Sequence, residues 1–370
     1  LDPSSNTFYI AVSAINDAPV ADSNSVSTSL NTDLPITLTG SDIETPPAFL
    51  TFAVVTPPSH GTLSGTEPDL TYTPASGYVG SDSFTFTVTD RGDPDNCGTP
   101  NPGSCTASLT SAEATVDITV TGTTTFTVTN TDDSGAGSLR AAITATNANP
   151  GIDTIAFNLG GGVQTIMPLS PLPAITDAVV LHGATQPGYS GTPLIQIVGA
   201  SAGSGVNGLT LSAGGSTIRS LAITGFTGHG IAITGPGSNH IESNYIGLGS
   251  DGLTFLSNGG DGISITNSPN SVIGGTSAGN VISGNTGSAI HITGSTGTVV
   301  EGNVIGLRAD GLTPLGNSQA GITLTGANAQ IGGMTAGARN VISSNAHYGV
   351  ILSNSGSTLT TNIQGNYIGT

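Results

Sequence analysis

"NYIGLGSDG" stands at residues 244–252, "NVIGLRADG" at 303–311 and "NYIGT" at 366–370, three writings of one line. The asparagines that open the copies are 59 and 63 residues apart, too far for one coil of a solenoid, so each copy is expected to span two or three coils with alternate coils most alike. A second phrase, "GGTSAGNVISGN" at 274–285, returns as "GGMTAGARNVISSN" at 332–345. A coil cannot bury its apolar face alone. Stacked coils build one continuous core, and like residues then fall at like positions. Ile246, Ile305 and Ile368 are expected to stack inside, Gly247, Gly306 and Gly369 to allow one tight bend, and Asn244, Asn303 and Asn366 to form an amide ladder at a turn. Short β-branched strands such as "GIAITG", "AIHITG" and "GITLTG" lie between turns. The third copy stops at Thr370, which leaves an expected open coil for further coils or another subunit to cover.

Composition agrees with a β-protein. Glycine occurs 55 times in 370 residues, tryptophan is absent and only 8% of residues are charged, while 36% are hydrophobic and mean hydropathy is +0.15. That much apolar content separates the chain from disordered acidic sequences. Its only basic side chains are five arginines, and the formal charge is −18. Nucleic acid and anionic lipid both require basic patches, so neither is an expected partner. No apolar stretch reaches membrane-spanning length, and "LDPSSNTFYIAV" lacks a signal peptide's basic region and long apolar core. A removed signal or an excerpt of a longer chain accounts for that start.

Charge divides the chain. Residues 1–122 carry −13 and residues 123–370 carry −5, a marked asymmetry. In the first region "LPITLTG", "LTFAVV", "DLTYTP" and "DSFTFTVTD" alternate at a spacing typical of sandwiches. The phrases "AINDAPVA", "GSDIETPPAFLTFAVVTPPSHGTLSG", "LTYTPASGYVGSDSFTFTVTD" and "ATVDITVTG" resemble one unit of the cadherin-like, bacterial Ig-like tandem repeats of large surface proteins. In such repeats "NDAPVA" opens a new unit after the last strand of the previous one. Residues 1–14, with Phe8, Tyr9, Ile10 and Val12, therefore read as an orphan strand, either the end of a preceding domain or a donor that completes a sheet in another subunit.

"SLRAAITATNA" is the one convincing helix. Ser138 is placed to cap it, and Leu139, Ala142 and Ile143 share a face. The segment from 123 onward resembles the start of extracellular right-handed β-helix proteins, where such a helix caps the first coil.

The resemblance implies a calcium site. Asn16, Asp17, Asp42, Glu44 and Asp90 match the linker, D-x-[DE] and aspartate positions of the cadherin-like pattern, whose oxygens bind Ca²⁺. Solvated turn acids are the plainer reading. Cys97 and Cys105, in "CGTPNPGSC", are candidates for a disulfide in an oxidising compartment, with two free thiols the alternative. "RGD" at 91–93 reads as a turn rather than an integrin ligand. "SGAGSLR" faintly resembles a phosphate loop, but it lacks the lysine and follows Asp132 and Asp133, so a helix cap is the better reading. β-helices also host polysaccharide lyases and glycoside hydrolases. Here only Glu242 and Glu301 occupy matching motif positions, with Gln364 next, which reads as a surface ladder rather than a catalytic pair. Asp261 gives way to Ala320 in the next like motif. The histidines at 182, 229, 240, 291 and 347 share no motif, and no serine-nucleophile elbow occurs.

The expected molecule is all-β: an orphan strand over 1–14, an Ig/cadherin-like β-sandwich over 15–122, and a right-handed parallel β-helix over 123–370 with one short N-terminal capping helix. The expected function is structural, not enzymatic: a bacterial extracellular or cell-surface protein, forming a filament or matrix through residues 1–14. Copies of itself or neighbouring domains of a longer chain are the expected partners. A surface adhesin with a glycan-binding β-helix is the first alternative and a polysaccharide-degrading enzyme the second.

Overall fold

The structure, a computed structural model, describes residues 15–93, 106–353 and 360–369. The chain divides into two compact units, Leu1–Gly122 and Thr123–Thr370. The orphan strand with Phe8, Tyr9, Ile10 and Val12, and both cysteines, lie outside the described residues.

In the first unit alternation makes a four-stranded and a three-stranded sheet with one shared core, beside a two-stranded pairing of Val20–Ala21 with Gly40–Ser41. Strands Asn24–Ser29, Ala114–Thr121, Gly80–Thr89 and Thr51–Thr56 form one sheet in that order. Leu34–Thr37, Asp69–Pro74 and Gly61–Thr66 form the other. On Gly80–Thr89 every second side chain points inward, placing Phe84, Phe86 and Val88 against Val116, Ile118 and Tyr72. This two-layer burial is the Ig-like sandwich.

The second unit is a parallel β-helix. Among the described residues its strands sort into three parallel sheets of nine, eight and six members, and from Thr217 onward successive strands visit the three faces in turn. Each coil therefore lays one strand on each face, and every backbone ladder runs between coils rather than within them. The column Ile246, Ile282, Ile305, Ile342, Ile368 runs along the second face. The like copies are thus two coils apart, with a different coil between. Ile246 and Ile305 are fully buried; Ile368, on the last described rung, is 46% exposed. Gly247, Gly306 and Gly369 have φ of 89°, 84° and 76°, the left-handed bend expected of them.

The capping helix spans Leu139–Asn147, and the Ser138 side chain accepts from the Ala141 N–H. Leu139, Ala142 and Ile143 are buried on the first coils. Arg140 fixes the approach to the helix: its Nη2 donates to Asp133 Oδ1 at 2.8 Å and its Nη1 to the Pro171 carbonyl at 2.6 Å.

Two asparagine ladders line the turns. The first runs Asn244, Asn280, Asn303, Asn340, Asn366, each Nδ2 donating to the next Oδ1 at 2.8–3.1 Å. The second runs Asn258, Asn285, Asn317, Asn345 at 2.8–3.0 Å. Buried amides are tolerable only when every donor and acceptor is occupied. Asn280 meets that condition: its Nδ2 also donates to the Ile241 carbonyl, and its Oδ1 accepts from both the N–H and the Nδ2 of Asn244.

Candidate functional site

The predicted calcium residues fall at one end of the sandwich in linked pairs. Asn16 Nδ2 donates to Asp90 Oδ2 at 3.0 Å, and the Asp17 N–H meets Glu44 Oε2 at 3.4 Å. Asp42 Oδ2 accepts from the N–H groups of Glu44 and Thr45 at 2.9 and 2.7 Å. Asp90 Oδ1 accepts from the Gly92 and Leu109 N–H groups, so both its oxygens are occupied by donors. Asn16 Oδ1 and Asp42 Oδ1 differ: both are buried without a partner. They suit a hard cation, which takes oxygen ligands. Among the described residues no three His, Cys, Asp or Glu side chains converge as a metal-holding group, so any ion here would lean on amide and carbonyl oxygens as well.

The "RGD" tripeptide is a turn. Gly92 has φ of 81°, Arg91 lies over the Phe49 ring at 4.2 Å, and the Asp93 carbonyl accepts from the Thr106 N–H.

On the β-helix, Glu242 and Glu301 both face outward on the first sheet, but Gly274 occupies the rung between them. Their strands are therefore two spacings apart, ~9.6 Å, and residues 275–279 leave the sheet between them. Glu242 Oε1 lies 3.5 Å from Arg219 Nη1. Arg219 Nη2 in turn reaches His182 Nδ1 at 3.2 Å. Burial and the Arg219 charge push the His182 pKa below its ordinary value.

The coil stacking also assembles a cluster that reading along the chain missed. His229, Asp261 and His291 come from three successive coils, and each imidazole Nδ1 lies 3.4 Å from Asp261 Oδ2. The Asp261 N–H donates to His229 Nδ1 at 2.9 Å, which makes that nitrogen an acceptor and His229 the Nε2–H tautomer. His291 is thus the ring that donates to the carboxylate, and this bond holds its pKa above the usual histidine value against the opposing effect of burial. Aligning Gly230 with Gly262, the residue before each third-face strand, sets His229 beside Asp261, while His291 stands at the register position of Ser264 on the next coil.

Comparison with known proteins places the first unit. The family model described as a bacterial Ig domain matches residues 16–99, and such domains are typical of extracellular or surface proteins. Among the described residues no helix is long and apolar enough to cross a membrane. No curated protein matches the chain significantly. Solved structures similar to it include Dex49A from Penicillium minioluteum, at 11% identity over 92% of this chain and 75% of that one, with a TM-score of 0.17. ORF18 of Geobacillus virus E2 follows at 12% identity over 65% and 59%, with a TM-score of 0.15. At these TM-scores neither likeness bears on activity.

Proposed function

We propose that this is a structural protein of a bacterial surface or extracellular matrix, whose β-helix is a stiff rod and whose residues 1–14 join copies into a filament. The observation that carries the reading is the unbroken inner column. Aliphatic side chains and two amide ladders run through successive coils with their hydrogen bonds occupied, and bending the rod would break many of these at once. Phe8, Ile10 and Val12 alternate along the sequence, with Tyr9 between them, a pattern suited to strand addition, in which main-chain bonds supply affinity and alternate side chains specificity. High-resolution electron microscopy of the native material tests this. The strand is expected in a neighbouring copy's sheet or coil; a monomer whose residues 1–14 pair within their own chain refutes assembly by donation.

A second reading concerns Ca²⁺. The unpartnered, buried Asn16 Oδ1 and Asp42 Oδ1 favour a cation at the start of the sandwich, since each oxygen left without a donor costs roughly 1–3 kcal/mol. Calorimetric titration with CaCl₂ is expected to register binding that Asp42→Asn weakens. A flat titration, with an unchanged melting temperature in chelator, excludes the ion.

A further inference from the structure

Along the β-helix the inner columns are uniform and the outer ones are not. On the first face, register sets His182 beside Arg219 and Arg219 beside Glu242, and the next rung carries Gly274. The crossings from the first face to the second differ in length. After His182 the chain takes residues 183–194, and after Gly274 it takes 275–280. After Arg219 it crosses through Ser220 alone, and after Glu242 through Ser243 and Asn244. Two adjacent short crossings thus lie between two long ones. The long crossings stand three strand spacings apart, ~14 Å, and a notch opens between them.

Its contents are chemically mixed. From the 183–194 wall the Tyr189 hydroxyl accepts from Ser220 Oγ at 3.1 Å, which brings its phenol to the crossing that follows Arg219. Tyr245 follows at the second-face side, half-buried, its hydroxyl pKa raised by burial and by the nearby Tyr189. On the floor Arg219 reaches Glu242 and His182, while its Nε is buried with no partner. Burial and the Arg219 charge hold the His182 pKa below its ordinary value against the opposing pull of Glu242. One positive and one negative charge remain, with no net charge, in a unit where nine acids outnumber four arginines.

That balance selects the ligand class. A polyanion gains nothing from a neutral floor and is repelled by the surrounding unit. A compact uncharged molecule with adjacent hydroxyls fits: carboxylate oxygens accept from hydroxyls, guanidinium N–H groups donate to oxygens, and both bonds are charge-assisted. Tyrosine rings cover the C–H face that such a ring presents. We propose that the notch between residues 183–194 and 275–279 binds an uncharged glycan, with Glu242 and Arg219 bonding its hydroxyls and Tyr189 and Tyr245 supplying the ring surface. This goes beyond the filament reading, and either stands without the other.

Affinity electrophoresis of the full chain in gels containing dextran, xylan, β-1,3-glucan or polygalacturonate tests it. At least one of the three uncharged polymers is expected to retard the protein, and polygalacturonate is not. Glu242→Gln and Tyr189→Ala are each expected to weaken retardation about tenfold. Glu301→Gln, beyond the 275–279 wall, should leave it within about twofold. Tyr189→Phe keeps the ring and is the control for variants that melt early; it should retain most of the binding. No retardation by any uncharged polymer overturns the proposal. So does retardation by polygalacturonate alone, or equal loss in Glu242→Gln and Glu301→Gln.

Discussion

Asn280→Ala asks how much the amide ladder holds. The substitution removes Nδ2 from the Ile241 carbonyl and Oδ1 from two donors of Asn244. Asn280 Nδ2 also leaves Asn303 Oδ1, which keeps the Asn280 N–H, so four buried hydrogen bonds are lost. A buried polar group left without a hydrogen bond costs ~1–3 kcal/mol, and partial relaxation around a small residue brings the total to about 3–5 kcal/mol. For a unit of this size that corresponds to a melting temperature lower by about 10 °C. Thermal unfolding followed by circular dichroism measures it, and urea titration separates a loss of stability from a change in exposed surface. Asn362→Ala, exposed and outside both ladders, is the comparison and should shift stability by no more than ~0.5 kcal/mol. If Asn280→Ala costs under ~1 kcal/mol, the ladder is a consequence of coil stacking rather than a cause of its rigidity.

Three further outcomes are expected. Gly247→Ala puts a methyl 2.2 Å from the Ser283 carbonyl at φ of 89° and should destabilise the β-helix by about 2 kcal/mol or more, whereas Gly311→Ala, at φ of 69° with open space around it, should cost only about 1 kcal/mol; parallel urea titrations compare them. In the sandwich, burial pushes the Asp82 carboxyl upward, but bonds from Tyr72 and from the N–H groups of Ser59, His60 and Ser83 outweigh it and hold its pKa below the ordinary value. Its contribution is therefore present above the unfolded aspartate pKa and lost as pH falls through the folded one; Asp82→Asn should flatten the acid limb of a stability–pH curve. His291 has the opposite sign: its raised pKa makes the Asp261 bond stabilising below the ordinary histidine value and lost as pH rises through the folded one. NMR titration of the His291 ring should register a downward shift in Asp261→Asn.

The parts of the fold that repeat were legible in the sequence because repetition is what stacking demands. Ile246 and Gly247 recur as Ile305 and Gly306 since each must meet the same neighbours in its own coil. The intervening coil was harder to read. Asn280 and Asn340 belong to the same ladder as Asn244 and Asn303, yet they sit in "GNVISGN" and "RNVISSN" behind five- and seven-residue excursions, where Asn244 follows one serine. The ladder constrains the side chain at the turn and leaves the length of chain before it free. Asp261, His229 and His291 were obscured for a related reason: their proximity is set by register between coils, so spacing along the chain carries no sign of it. The pairing of Asn16 with Asp90 came instead from resemblance to a known pattern, and no local rule would have joined residues 74 apart.

The same separation of inner from outer positions explains how one scaffold can hold a site without loss of stability. On the first face the inner column reads Ile218, Ile241, Ile273, Val300, Ile331, all fully buried, and any polar replacement there would leave groups unpaired. The outer column beside it carries Arg219, Glu242, Gly274 and Glu301, then Gly332 and Gln364. Gly274 and Gly332 fall on rungs where the chain departs on the crossings 275–280 and 333–340, whereas His182 precedes the longer crossing 183–194. Gly274 shows the physical reason: a Cβ there would lie 1.9 Å from the Glu301 carbonyl and 2.7 Å from the Asn303 amide, at φ of 93°. Walls and floor are thus decided by different constraints. Backbone conformation fixes where the 275–279 wall rises, while the floor residues Arg219 and Glu242 answer to solvent and to each other. A Gly274→Ala variant separates the two: it should disturb the 275–279 wall and the adjoining ladder, while Glu242→Gln leaves the melting temperature unchanged to within about 2 °C.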